Sequence, residues 1–242
     1  MDWLRSTDFA HRGLHGLSDQ CPENSLSAIE QAISHGYGIE LDIMGSSDGD
    51  AIAFHDLSLK RMTGRQGLVA RTKSHELKRI RFRGMTETIP TLRQVLDCVN
   101  GQVPLLLELK TGPGILGVLE MRVSGLLRRY TGEVAVMSWT LPTVEILSKL
   151  LPDVPCGTVL SRLKRKQAES YLGKLRQVIT SPLRLSGGQR FEACRLDGLL
   201  AQDALKARDE SKPLLTWTIK SSEEAQIARE VADAIIFEGF TP

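Results

Sequence analysis

The sequence predicts an α/β fold, a (β/α)8 TIM-type barrel with a small insertion after a hairpin at the second strand, as one domain over residues 1–242. Three observations lead there. Short apolar, β-branched runs alternate with amphipathic stretches of helical period, the pattern of a parallel sheet covered by helices. Eight such runs can be counted, and the 242-residue length suits one barrel.

Taken in order, Phe9-Ala10-His11 is the first strand. Asn24-Ser25 then caps a helix that carries Leu26, Ile29 and Ile33 on one face, and Gly36 ends it. Ile39 to Ile43 is the second strand. The link Ser46-Ser47-Asp48-Gly49-Asp50 is turn chemistry, because Asp-Gly tolerates the positive φ of a tight reversal. An extra strand, Ala51 to His55, therefore folds back on the second and brings His55 toward Glu40 and Asp42. The insertion follows, over about residues 57–90. Strands at Leu105 to Leu109, Val134 to Ser138, Gly157 to Leu160, Gly198 to Ala201, Leu214 to Thr218 and Ala234 to Phe237 complete the barrel. Helices are expected at Leu92 to Val99, Ile115 to Tyr130, Pro142 to Leu150 and Ser222 to Val231.

Bulk properties exclude several classes of function. A formal net charge of +2 creates no overall field that would gather nucleic acid, so attraction for an anionic substrate must be local. The start, Met1 to Phe9, lacks the apolar run of a secretory signal, and no segment approaches the roughly 20 apolar residues of a membrane span. Cys21, Cys98, Cys156 and Cys194 have no metal-type spacing and read as reduced thiols, so a cytoplasmic protein without stable membrane insertion is expected. Two basic stretches, Lys73 to Arg83 and Arg162 to Arg176, mix cations with leucine or isoleucine at helical intervals. They read as solvated helix faces, with docking to an anionic membrane surface as the functional alternative.

The chemistry gathers at strand ends. In Glu40-Leu41-Asp42 the two carboxylates, two residues apart in a strand, point to one side. Glu108-Leu109-Lys110 repeats the geometry and adds a third carboxylate and a cation. Three carboxylates in a confined space repel unless a cation neutralises them, and oxygen-only ligands favour Mg²⁺ or Ca²⁺, with Mn²⁺ also compatible. His11 ends the first strand, and the hairpin delivers His55 to the same mouth. Two imidazoles can divide the hydrolysis of a phosphodiester, one taking a proton from the nucleophile and the other protonating the departing alkoxide. Arg12 can grip two phosphate oxygens, and Lys110 can add a point charge.

In order along the chain, His11-Arg12-Gly13, Pro22-Glu23-Asn24-Ser25, Glu40-Leu41-Asp42, Ser47-Asp48-Gly49, His55-Asp56, Ile89-Pro90-Thr91-Leu92, Glu108-Leu109-Lys110 and Thr216-Trp217-Thr218 resemble the signature of glycerophosphodiester phosphodiesterases. The resemblance runs from residue 9 to about residue 237. It implies a barrel enzyme that cleaves small glycerophosphodiesters to glycerol 3-phosphate and an alcohol. It also implies one divalent ion held by Glu40, Asp42 and Glu108, acid and base roles for His11 and His55, and phosphate contacts from Arg12 and Lys110. Within the matched motifs, Glu23 is a candidate substrate contact, and Asn24 reads as part of the helix cap. Trp217 either stacks on the glycerol or packs in the core. His15 is assigned no chemistry.

The chain departs from the family pattern at Phe237-Glu238, where relatives usually carry threonine and aspartate, and at Lys220, where they often have asparagine. The insertion, which caps the glycerol in the family, is somewhat short. A phospholipase D-like or phosphoinositide-cleaving barrel is the rival within hydrolases. It would need an apolar rim, and no exposed aromatic cluster is evident near the mouth loops. A catalytically silent barrel that binds a phosphorylated ligand is the rival from another class, and it would be supported by a missing histidine or carboxylate.

Overall fold

The computed structural model describes residues 1–16, 21–111, 116–161, 189–200 and 208–242. Its strands are β1 (Phe9–His11), β2 (Gly38–Gly45), β3 (Ala51–Ala53), β4 (Leu105–Leu109), β5 (Val134–Ser138), β6 (Cys156–Leu160), β7 (Gln189–Arg195), β8 (Leu214–Ile219) and β9 (Ala234–Phe237). They are ordered β1-β9-β8-β7-β6-β5-β4-β2-β3, and β1 also pairs with β2, so the eight parallel strands close into a barrel. Among the described strands only β3 lies outside it, antiparallel to β2.

Alternation along each strand divides the core in two. Phe9, Leu106, Met137, Phe191, Leu215 and Ile236 fill the barrel interior. Their neighbours Ile39, Leu41, Leu105, Leu107, Val136 and Ile235 face outward onto the helices. The inner face of β6 is opened by Gly157, where a Cβ would run into the Phe191 ring.

The helices begin where their caps dictate. Ser25 Oγ accepts from Ala28 N at 3.1 Å to start the helix Leu26–Ser34. Thr91 and Gln94 form a reciprocal capping box ahead of the helix Leu92–Val99. Further helices run over Val118–Leu127, Leu141–Leu150 and Ser222–Val231. Residue 115, the expected start of the third, lies outside the described residues.

The hairpin forms as the Asp-Gly link predicts. Gly49 has φ +79°, Ser46 N donates to Asp50 O at 2.9 Å, and Ile43 pairs with Ala53. The cap beyond it has its own core, in which Phe54, Leu59, Val69, Leu77, Ile80 and Phe82 are buried.

Two expectations are corrected. The sixth barrel strand, β7, is Gln189–Arg195, not Gly198 to Ala201; Leu196–Leu199 is a short helix, and residue 201 lies outside the described residues. Gln189-Arg190-Phe191-Glu192-Ala193-Cys194-Arg195 has no β-branched residue and three charges, so its apolar signal is weak, yet Phe191 and Ala193 fill the interior. Lys73 to Arg83 is not a solvated helix face either: only Ser74–Leu77 is helical, while Ile80 and Phe82 turn into the cap core. The second basic stretch, Arg162 to Arg176, lies outside the described residues.

Candidate active site

Strand register decides which chemical groups meet. His11 of β1 pairs with Glu40 of β2, and Asp42 of β2 pairs with Glu108 of β4. The same alternation that places Phe9 and Leu106 in the interior brings His11, Glu40, Asp42 and Glu108 to the inner rim at the C-terminal ends of the strands, where barrel loops build their sites.

Glu40, Asp42 and Glu108 are buried, and one oxygen from each lies within 4.8 Å of the other two. Lys110 Nζ sits 3.0 Å from Asp42 Oδ1 and 2.6 Å from Glu108 Oε1. Arg12 Nε is 3.1 Å from Asp42 Oδ2. Asn24 clamps Asp42 from the remaining direction: its Nδ2 donates to Asp42 Oδ2 at 3.0 Å, and its Oδ1 accepts from Asp42 N at 3.0 Å. Burial would raise the Asp42 carboxyl, but Lys110, Arg12, His55 and the Asn24 hydrogen bond outweigh it and hold Asp42 below its ordinary value. Glu40 is driven the other way, well above the ordinary range, by burial and then by the charges of Asp42 and Glu108. Burial raises Glu108 as well, with Lys110 opposing it.

These directions show how the residues suit a cation. Three carboxylates face two fixed cations, Lys110 and Arg12, which leaves one negative charge uncompensated, and burial together with this excess raises Glu40 well above its ordinary range. Glu108 Oε1 is buried and close to Lys110, yet among the described residues it accepts no aligned hydrogen bond. A hard divalent ion fits such an all-oxygen donor set.

Both histidines are backed by carboxylates. His11 Nδ1 lies 2.6 Å from Glu238 Oε2, and its Nε2 lies 3.9 Å from Glu40 Oε2. Hydrogen bonds from His11 and Lys220 hold the Glu238 carboxyl far below its ordinary value despite partial burial. An ionised carboxylate only accepts, so the His11 proton sits on Nδ1, and Nε2 faces the acidic group. His55 Nδ1 lies 2.8 Å from Asp56 Oδ1, and Arg61 donates to both Asp56 oxygens at 2.6 and 2.9 Å. Hydrogen bonds from Arg61 and then His55 bring the Asp56 carboxyl down to about 2. His55 lies close enough to Asp42 and Glu108 to lower both carboxyls.

Glu23 joins the halves of the mouth. It accepts from Arg12 Nη1 at 2.8 Å and from Arg61 of the cap at 2.7 and 2.8 Å. Both of its oxygens are thus taken by arginines, so it orients Arg12 and ties down the cap. The turn that aims Arg12 is tight: Arg12 has φ +58°, its N donates to Glu40 Oε2 at 3.2 Å, and a Cβ on Gly13 would lie 2.9 Å from Ala28. No side chain larger than glycine's hydrogen fits there.

Trp217 is half-buried at the mouth, its Nε1 donating to Ala193 O at 3.3 Å, and it meets Trp139 edge to face with centroids 5.4 Å apart. Trp139 is 46% exposed beside the half-buried Trp217. The alternation of Ala135 and Met137 along β5, carried one step past its end to Trp139, is the available signal. Ser25, not Asn24, caps the helix, and Asn24 holds Asp42 instead. In the sequence Glu238 stands only as a departure from a pattern, because its partnership with His11 depends on β9 lying beside β1.

Comparison with known proteins agrees with this architecture. The model of the glycerophosphoryl diester phosphodiesterase family matches residues 11–238. A glycerophosphodiester phosphodiesterase of Bacillus altitudinis is 35% identical over 179 residues, covering 68% of this chain and 70% of its own. A phosphodiesterase structure from Oleispira antarctica, in complex with the product sn-glycerol-3-phosphate, superposes with a TM-score of 0.79 at 24% identity, covering 96% of this chain and 92% of that one. A glycerophosphodiester phosphodiesterase structure from Thermotoga maritima gives a TM-score of 0.70 at 20% identity, with 96% and 94% covered. With the family match spanning nearly all of the barrel and the ordered motifs standing at its mouth, the chain belongs to the glycerophosphoryl diester phosphodiesterase family.

Proposed function

We propose that the chain hydrolyses glycerophosphodiesters to sn-glycerol 3-phosphate and an alcohol, with His11 and His55 as the acid–base pair and Glu40, Asp42 and Glu108 as the holders of one divalent ion. The observation that carries this reading is the convergence of two carboxylate-backed imidazoles on one buried acidic group. Mg²⁺ or Ca²⁺ suits the all-oxygen donor set, and Mn²⁺ is compatible. Bound there, the ion would offset negative charge on the phosphate as the transition state forms.

The chain's own residues supply the remainder. With Nδ1 protonated against Glu238 and Asp56, each ring keeps Nε2 for the reaction, so one ring accepts the proton of the attacking hydroxyl while the other delivers a proton to the departing alkoxide. Arg12, steered by Glu23, and Lys110, steered by Asp42 and Glu108, offer charge-assisted donors to phosphate oxygens. Trp217 and Trp139 form an aromatic wall for the glycerol or the alcohol. Reduced thiols at Cys21, Cys98 and Cys156 suit a cytoplasmic setting with small water-borne diesters as substrates.

The test is release of glycerol 3-phosphate from glycerophosphocholine or glycerophosphoethanolamine. His11→Ala and His55→Ala should each lower kcat by roughly 10²- to 10⁴-fold, the usual contribution of a positioned acid or base. Chelation should stop turnover, and Mg²⁺, Ca²⁺ or Mn²⁺ should restore it. Unchanged turnover in both variants, or full activity after exhaustive chelation, would sink the respective half of the reading.

A further inference from the structure

We propose that His11, His15 and Glu238 form a second metal site, selective for a divalent ion of the zinc class, and that filling it switches off His11. One ligand atom from each of the three residues lies within 4.8 Å of the other two. Glu238 Oε2 is 2.6 Å from His11 Nδ1 and 3.8 Å from His15 Nε2. Tetrahedral zinc with nitrogen and oxygen ligands needs its donor atoms about 3.4 Å apart, a spacing that the two observed distances bracket. Small side-chain rotations reach it.

His15 has the features of a ligand without an assigned task. Its Nε2 is buried and makes no hydrogen bond among the described residues, although it points at an anionic carboxylate. Its backbone is held by a bond from His15 N to Gly13 O at 2.9 Å, in the same turn that presents His11. Preorganisation of this kind lowers the cost of ordering a ligand on binding. The donor set also separates this site from the acidic one. Two imidazoles and one carboxylate suit zinc and its neighbours, whereas Glu40, Asp42 and Glu108 present only oxygen. Lys220, whose Nζ lies 2.8 Å from Glu238 Oε1, opposes the incoming charge, but its side chain is 63% exposed and can swing into water.

Occupation changes the His11 tautomer. A metal on Nδ1 replaces the proton now shared with Glu238, and in the neutral ring that proton moves to Nε2. The nitrogen that faces Glu40 then has no lone pair to accept a proton. This inhibitory half rests on the acid–base reading of His11, whereas binding at the three residues does not.

The experiment uses the whole chain saturated with Mg²⁺ and titrated with Zn²⁺, alongside His15→Ala. Wild-type turnover should fall with zinc and should not recover when Mg²⁺ is raised. His15→Ala should keep its turnover in Mg²⁺ alone while needing at least about 10-fold more zinc for half inhibition, the scale of loss expected when a metal site is disturbed. In parallel, Co²⁺ added to the Mg²⁺-saturated protein should give visible absorption bands of a low-coordinate site in the wild type and not in His15→Ala. Those bands decide binding even in a chain that turns over no glycerophosphodiester. Equal zinc sensitivity of the two proteins, relief by excess Mg²⁺, identical cobalt spectra, or zinc binding without inhibition would each overturn the proposal.

Discussion

Glu238 Oε2 lies 2.6 Å from His11 Nδ1 across 227 positions of sequence, because the last barrel strand closes against the first. The carboxylate fixes the His11 proton on Nδ1 and turns Nε2 toward the buried acidic group. The hydrogen bond from His11 itself, and then Lys220 at 2.8 Å from the other Glu238 oxygen, hold this carboxyl far below its ordinary value.

Glu238→Gln keeps the shape but removes the charge and the preference for one tautomer. Its kcat on a glycerophosphodiester should fall on the order of 10²-fold, the low end of acid–base contributions, with KM little changed. A fall in kcat/KM caused by KM alone would point to substrate contact rather than positioning of His11.

Asn24→Ala should damage the acidic group without touching substrate. It removes both hydrogen bonds to buried Asp42, and a buried polar group left unsatisfied costs about 1–3 kcal/mol. In a chain of this size that corresponds to roughly 2–4 °C of melting temperature per kcal/mol. Thermal unfolding followed by circular dichroism measures it, and weaker dependence of activity on added Mg²⁺ should accompany the loss.

Asp56 links the cap to acid stability. Its carboxyl is lowered to about 2 in the folded chain by hydrogen bonds from Arg61 and His55. A depressed folded value contributes stability above the unfolded aspartate pKa of about 3.9 and loses it as the pH falls toward the folded one. Asp56→Asn should therefore melt below wild type at pH 6, and the gap should narrow from about pH 4 to about pH 2. A gap that stays constant over that range would show that the carboxylate charge is not what stabilises the cap.

Gly157→Ala should destabilise the barrel from within. The new methyl would meet the Phe191 ring that fills the space inside β6, and overpacking of this kind costs about 1–3 kcal/mol. Denaturant unfolding would show it as a lower midpoint with an unchanged slope. An unaltered midpoint would mean that Phe191 can move aside freely.

What could be read directly was local. Short, nearly continuous apolar runs gave the strands Leu105–Leu109, Val134–Ser138 and Ala234–Phe237 at their observed bounds. The Asp-Gly turn gave the hairpin, because its backbone preference acts over a few residues. Glu40 and Asp42 were legible as a pair because a strand forces residues two apart to one side. The sixth barrel strand was not legible, since Gln189–Arg195 alternates charged and apolar residues without β-branching and gains its stability from a position between β6 and β8. Nor was the apolar cap lining from Ile80 and Phe82, which a basic stretch concealed.

The sequence by itself determined the strand periods, the turn chemistry and the set of groups able to handle a phosphodiester. Tertiary structure decided the partners: Asn24 with Asp42, Glu238 with His11, Arg61 with Glu23 and Asp56. Residue chemistry is a property of single positions. Partnership depends on strand register and on closure of β1 against β9, which arise only when the whole barrel buries its two apolar layers together.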